Sequence, residues 1–159
     1  MSNRKRGPLF WASSWWPVAA GIAIVLMEST AAFGADRTTH PLRWLVQSLV
    51  GQMDDNTWNV IHHCIRKSGH FLGYGALGLT WLRAWLMSLP GFRFLMDSLL
   101  ALAGTALVAS CDEWHQTYLP NRTGSPWDVL LDSCGALVTL LIVYVFMSLF
   151  RPKRLVHRN

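Results

Sequence analysis

Residues 133–150 read SCGALVTLLIVYVFMSLF, eighteen positions without a charged side chain. A helix needs about 20 such residues to cross the hydrocarbon of a bilayer, and Asp132 at the leading edge is the first group that lipid would resist. Residues 7–27 form another uncharged run of twenty-one. Blocks of this kind follow neither the alternation of a half-buried strand nor the narrow apolar stripe of a soluble helix. The rest of the chain agrees: 52% of its residues are hydrophobic, nine are Trp, and only 14% are charged, against about 25% in soluble domains. The sequence therefore predicts an all-α, polytopic membrane protein in one compact unit.

Four blocks qualify as spans, at about residues 9–32, 60–85, 94–114 and 127–149, predicting four transmembrane helices in a compact bundle. The domain reading is a basic cytoplasmic N-terminus (1–8), a membrane domain (9–150) and a basic cytoplasmic tail (151–159). The start, MSNRKRGPLFWASSWWPVAAGIAIVLM, resembles a signal peptide, but its apolar run exceeds the usual 7–15-residue core. It is read as an uncleaved first helix. Arg4, Lys5 and Arg6, then Arg83 and Arg93, then Arg151, Lys153, Arg154 and Arg158 fall on one side of a four-helix arrangement. By the positive-inside rule that side is the cytoplasm, so both termini are expected there. Because the basic residues collect at the ends and in one short connection, the net charge of +5 marks orientation rather than nucleic-acid binding. Between the first two blocks, HPLRWLVQSLV suits a short amphipathic helix on the outer surface. Trp11, Trp15, Trp16, Trp81, Trp85, Trp114 and Trp127 lie near helix ends, where an aromatic belt would sit.

The second and third blocks are too short unless they take in charges. Residues 68–82 give fifteen positions free of Asp, Glu, Lys and Arg, and residues 98–111 give fourteen. To span, the second block must include Arg66, Lys67 and His70, and the third Asp112 with Glu113. Charges at membrane depth are costly and turn away from lipid, so these groups should meet one another. Arg66, His70 and Tyr74 share one helical face at i, i+4, i+8, with His63 and Lys67 close by. Gly69 and Gly73 read as a small-xxx-small pair for close helix contact. Gln116 lies one turn beyond Asp112, Asp128 and Asp132 are i, i+4 in the fourth block, and Glu28 stands near the outer end of the first. PNRTG reads as a turn that sets Arg122 beside the mouth of the bundle.

Two readings of this constellation compete. One is a site on the outer face: His70, Asp112 and Glu113 as catalytic proton-transfer groups, with Arg66, Lys67, Tyr74, Gln116, Arg122, Asp128, Asp132 and Glu28 binding an anionic substrate. The other is a structural ion-pair network that only fixes helix packing in a non-enzymatic protein. A metal held by His63, His70, Asp112 and Glu113 has no HExxH-type spacing behind it, and Walker, GxSxG and Rossmann patterns are missing, so the site is read without metal or cofactor. Three cysteines with no CxxC among them read as buried thiols. Four short helices without a repeat leave little room for alternating-access transport.

IRKSGHFLGYGALG, followed by CDEWHQTYLPNRTGSPWDVLLDSCGA, resembles the VanZ-like family of bacterial membrane proteins. The resemblance covers about residues 61–145 and rests on Lys67, His70, Tyr74, Asp112, Glu113, Gln116, Arg122, Asp128 and Gly135. Asn121 stands where the family often has Gly, and Asp132 where it often has Asn. The resemblance implies a fold and topology more firmly than a chemistry. The family's namesake is linked to low-level resistance to the glycopeptide teicoplanin. The expected partner is an anionic lipid or lipid-linked cell-envelope precursor in the surrounding bilayer.

Overall fold

The computed structural model describes residues 7–30, 35–89, 93–119 and 124–150. Among them every regular element is a helix: α1 (Pro8–Glu28), α2 (Ala35–Val50), α3 (Asp55–Ser88), α4 (Phe94–Gln116) and α5 (Pro126–Leu149). The basic termini, with Arg4, Lys5, Arg6, Arg151, Lys153, Arg154 and Arg158, and the turn carrying Arg122 lie outside the described residues. Of the four expected spans, α1, α4 and α5 are long and apolar enough to cross a membrane. The second block has become the 34-residue α3, about 50 Å long at 1.5 Å per residue, with Arg66, Lys67 and His70 along its length. HPLRWLVQSLV lies within α2, which exposes Trp44, Leu45, Leu49 and Val50.

The helices are built inside out relative to a soluble bundle. On α5 the buried residues are Asp132, Gly135, Ala136 and Leu140, while Leu130, Leu141, Ile142 and Phe146 point outward. On α4 the inward stripe is Asp97, Ala101, Thr105, Ala109, Asp112, Glu113 and Gln116, and Leu95, Leu99 and Leu107 are exposed. Lipid removes the penalty on outward Leu and Ile, so small and polar residues take the helix contacts. This pattern makes the chain a membrane protein by construction.

α3 is the hub. It packs on each of the other four helices, most extensively on α5, whereas α2 packs on α3 alone. Its N-terminus is fixed by Asp54, whose carboxylate accepts from the Thr57 N–H at 3.0 Å and the Thr57 hydroxyl at 2.7 Å. The hydroxyl first and the N–H second hold this carboxyl below its ordinary value of 3.8, as expected of an N-cap. Arg43 of α2 reaches Asp55 at 2.7 Å and the Met53 carbonyl at 3.1 Å, tying α2 to the start of α3.

One sequence expectation is corrected here. The close helix contact does not use Gly69 and Gly73, where an added Cβ would meet nothing within 4 Å. It uses Gly75 and Gly78 on α3 against Gly135 and Ala136 on α5. A Cβ on Gly135 would overlap the Phe71 carbonyl oxygen, one on Gly75 would come within 2.6 Å of the Thr139 hydroxyl, and one on Gly78 within 3.1 Å of the Ala136 Cβ. The small-residue rule holds, but the register lies half a turn further on, because the other face of α3 borders open space. Trp15, Trp81 and Trp85, expected near helix ends, also pack on one another. Trp15 stands edge-on to both partners, with centroids 5.6 and 4.9 Å away, and its indole N–H donates to the Ser88 hydroxyl at 3.0 Å. They pin the start of α1 to the end of α3. Trp11, Trp16, Trp114 and Trp127 are exposed.

Gly135→Ala should therefore destabilise the protein in detergent by about 3 kcal/mol or more, the upper range of overpacking costs, because a backbone carbonyl must move. Gly73→Ala should be neutral or slightly stabilising. Unfolding of both variants followed by circular dichroism checks the contrast.

Candidate functional site

At one end of the bundle the C-terminal turns of α1 and α4 meet the middle of α3 and the start of α5, as the Ser29 hydroxyl contact with His115 Nδ1 at 3.1 Å shows for α1 and α4. Four more polar links join α3, α4 and α5 there. Tyr74 of α3 donates its hydroxyl to Asp112 Oδ2 of α4 at 3.1 Å, and Gln116 adds its amide to the same oxygen at 3.0 Å. Lys67 of α3 is ion-paired and hydrogen-bonded to Asp128 of α5. His70 Nδ1 of α3 faces Asp132 Oδ1 of α5 at 3.6 Å, an ion-pair contact longer than a hydrogen bond. Glu113 of α4 accepts from the backbone N–H of Ser125, the N-cap of α5, at 2.8 Å. Gly124 packs so closely on the Glu113 carbonyl oxygen that a Cβ would overlap it, which brings that N–H within reach.

The cluster divides in two. Lys67, Glu113, Gln116, Asp128 and Asp132 lie on the α4–α5 side. Glu28, Arg66, His70, Tyr74 and Asp112 line a cavity of about 490 Å³ between α1, α2, α3 and α4. This cavity is amphipathic. Its polar end also carries Ser29 and Thr38, and its walls continue along α1 and α3 through Val25, Ile24, Gly21, Ala20 and Trp16 on one side and Gly73, Ala76, Leu77 and Thr80 on the other. Gly69 and Gly73, passed over for helix contact, give the cavity its width. Among the described residues no acid lies within ion-pair distance of Arg66. Arg122, expected beside this mouth, lies outside the described residues.

The carboxylates are unequally satisfied. Asp112 is 4% exposed and Asp132 0%, yet Asp112 Oδ1 and both oxygens of Asp132 have no hydrogen-bond partner among the described residues. His70, Asp112 and Glu113 each offer a donor atom, and these atoms lie within 4.8 Å of one another. Of the expected site residues, His63 is exposed and outside this set. The sequence reading also passed over Asp97. It sits in the first turn of α4, fully buried, with no hydrogen-bond partner for either oxygen among the described residues, at the opposite end of the bundle. An acid at the head of an apolar block is the signal that was available, and a helix N-terminus favours it there.

The VanZ/LLP1 family model matches residues 11–148, nearly the whole of the chain. The chain belongs to the VanZ/LLP1 family. The match extends well beyond the 61–145 core on which the resemblance rested, so α1 and α2, which supply one wall and the rim of the cavity, are part of the family's fold. Neither a curated protein nor a solved structure matches this VanZ/LLP1 chain.

The Lys67–Asp128 pair is only partly shielded, at 33% and 24% side-chain exposure, so its coupling should be about 1 kcal/mol rather than the larger value of a dry pair. A double-mutant cycle in detergent should show Lys67→Met less stable than Lys67→Met/Asp128→Leu, because the single change leaves Asp128 charged and alone.

Proposed function

We propose that this VanZ-family protein is a four-span protein of the bacterial inner membrane, with both termini in the cytoplasm and the polar end of the bundle toward the outer leaflet. α3 supplies the fourth span. The ionisable groups at its middle, Lys67, His70 and Arg66, face acids or the cavity rather than the outward surface, which keeps them from lipid at membrane depth. A C-terminal reporter fusion should then be active only as a cytoplasmic reporter. An external C-terminus would overturn the orientation.

The ligand we assign to the cavity is an anionic lipid or a lipid-linked envelope precursor. The observation that carries this is the shape: a channel walled by Ile24, Ala20 and Leu77 that ends at Arg66, a cation with no acid partner among the described residues. An acyl or prenyl chain fits the walls, and a phosphate would accept charge-assisted hydrogen bonds from the guanidinium. His70, Tyr74 and Asp112 at that end would meet the head group, and His70 with Asp112 and Glu113 would serve proton transfer if a bond to it is broken. Occupation of a wall precursor would give such a protein a bearing on teicoplanin susceptibility, as with the family's namesake. The competing reading, a purely structural network, is favoured by the Tyr74–Asp112–Gln116 and Glu113–Ser125 links, which need no ligand.

Native mass spectrometry of protein extracted in mild detergent separates the two. The binding reading expects a retained anionic lipid, lost about tenfold or more in Arg66→Ala, the cost of one charge-assisted hydrogen bond, and in Gly73→Leu, which fills open space in the cavity. Both variants should melt close to the parent. If the parent retains no anionic lipid, or both variants keep it, the structural reading stands.

A further inference from the structure

The polar cluster holds more negative charge than its described neighbours answer. Lys67 is committed to Asp128. Asp112 and Glu113, both 4% exposed, have no ion-pair partner among the described residues, and Asp132 at 0% has only His70, at 3.6 Å. Carboxylates so buried require a countercharge or a proton.

We infer that His70, Asp112 and Glu113 bind a divalent transition-metal cation. The three donor atoms lie within 4.8 Å of one another, so a common centre exists no more than about 2.8 Å from each. Bonds from zinc to such ligands are about 2.0–2.2 Å, and each side chain closes that gap by well under an ångström. An imidazole with two carboxylates suits Zn²⁺ or Mn²⁺ better than the all-oxygen cations.

The surroundings carry the argument further than the triad alone. Each of the three side chains is held by a second group through one of its polar atoms. Tyr74 and Gln116 both donate to Asp112 Oδ2 and leave Oδ1 buried without a partner. The Ser125 N–H binds Glu113 Oε2 and leaves Oε1. Asp132 faces His70 Nδ1 and leaves Nε2. A carboxylate behind the ligating imidazole and hydrogen bonds behind the ligating carboxylates are the supports that orient a metal's ligands. The bound ion would also neutralise the charge that the network leaves over. His70 and Asp112 line the lipid-shaped cavity, so an open coordination position faces it, but the inference does not depend on any lipid being bound.

The test uses the full chain in detergent, stripped with a chelator and titrated separately with Zn²⁺ and Co²⁺. The site predicts one ion per chain, a rise in melting temperature on loading, and visible Co²⁺ absorption of a low-coordinate nitrogen and oxygen site. His70→Gln and Glu113→Gln should each weaken binding by about 100-fold or more. Asp132→Asn, a positioning residue, should weaken it by about 10–100-fold, and His63→Gln should leave it unchanged. Uptake well below one ion per chain by the parent overturns the proposal. So does parent-like affinity in both ligand variants, or loss in His63→Gln. Should the ligand variants fail to fold, the parent's stoichiometry and Co²⁺ spectrum decide alone, an unshifted aqueous Co²⁺ spectrum counting against the site.

Discussion

A helix that carries Arg66, Lys67 and His70 through its middle sets the terms for the rest of this protein. In an apolar surround each of these groups must find a counterpart on a neighbouring helix or open onto a polar space. α5 answers with Asp128 and Asp132, the cavity receives Arg66 and one edge of His70, and α4 brings Asp112 and Glu113 to the same level. The arrangement of α4 and α5 around α3 follows from where those acids stand in the sequence. Among the described residues the acids at this end outnumber the bases.

Shape enforces what charge requests. For Asp132 to reach His70, α5 must lie almost in backbone contact with α3, and Gly135 against the Phe71 carbonyl allows this. Dispersion between closely approaching backbones replaces the hydrophobic effect, which does not act between helices in lipid. At the far end the Trp15, Trp81 and Trp85 rings do the same for α1 and α3 with large side chains instead of none. One end of the bundle is thus held by absence of bulk and polar links, the other by aromatic bulk.

Much of this was legible in the residues. Apolar run lengths located α1, α4 and α5 to within a few positions, because lipid imposes a minimum length that few other environments do. The shortfall of the second and third blocks turned their charges inward, and the contacts of Lys67 with Asp128 and of His70 with Asp132 agree with bases of one helix meeting acids of another. What the residues did not disclose depends on the rotation of α3. Gly69, Gly73, Gly75 and Gly78 are equally eligible for a tight contact on a one-dimensional reading, and only the three-dimensional register separates those that pack from those that border a void. The closeness of His70, Asp112 and Glu113 was hidden for a related reason. Familiar ligand motifs repeat within a single helix, whereas His70 and the Asp112–Glu113 pair come from two helices and are joined by packing. Asp97 escaped because a single acid at the edge of an apolar run looks like its boundary.

The cavity is bounded on one side by α1, whose Trp16 and Ile24 are 63% and 56% exposed on the bundle's outer surface. An opening past that wall would be lateral, toward the region that lipid chains occupy, and not only toward water. For a ligand anchored in the leaflet, encounter is a two-dimensional search, and occupancy answers to mole fraction in the membrane rather than to molar concentration in solution. A molecule making up one part in a thousand of the leaflet can then fill such a site while being all but undetectable in the aqueous phase.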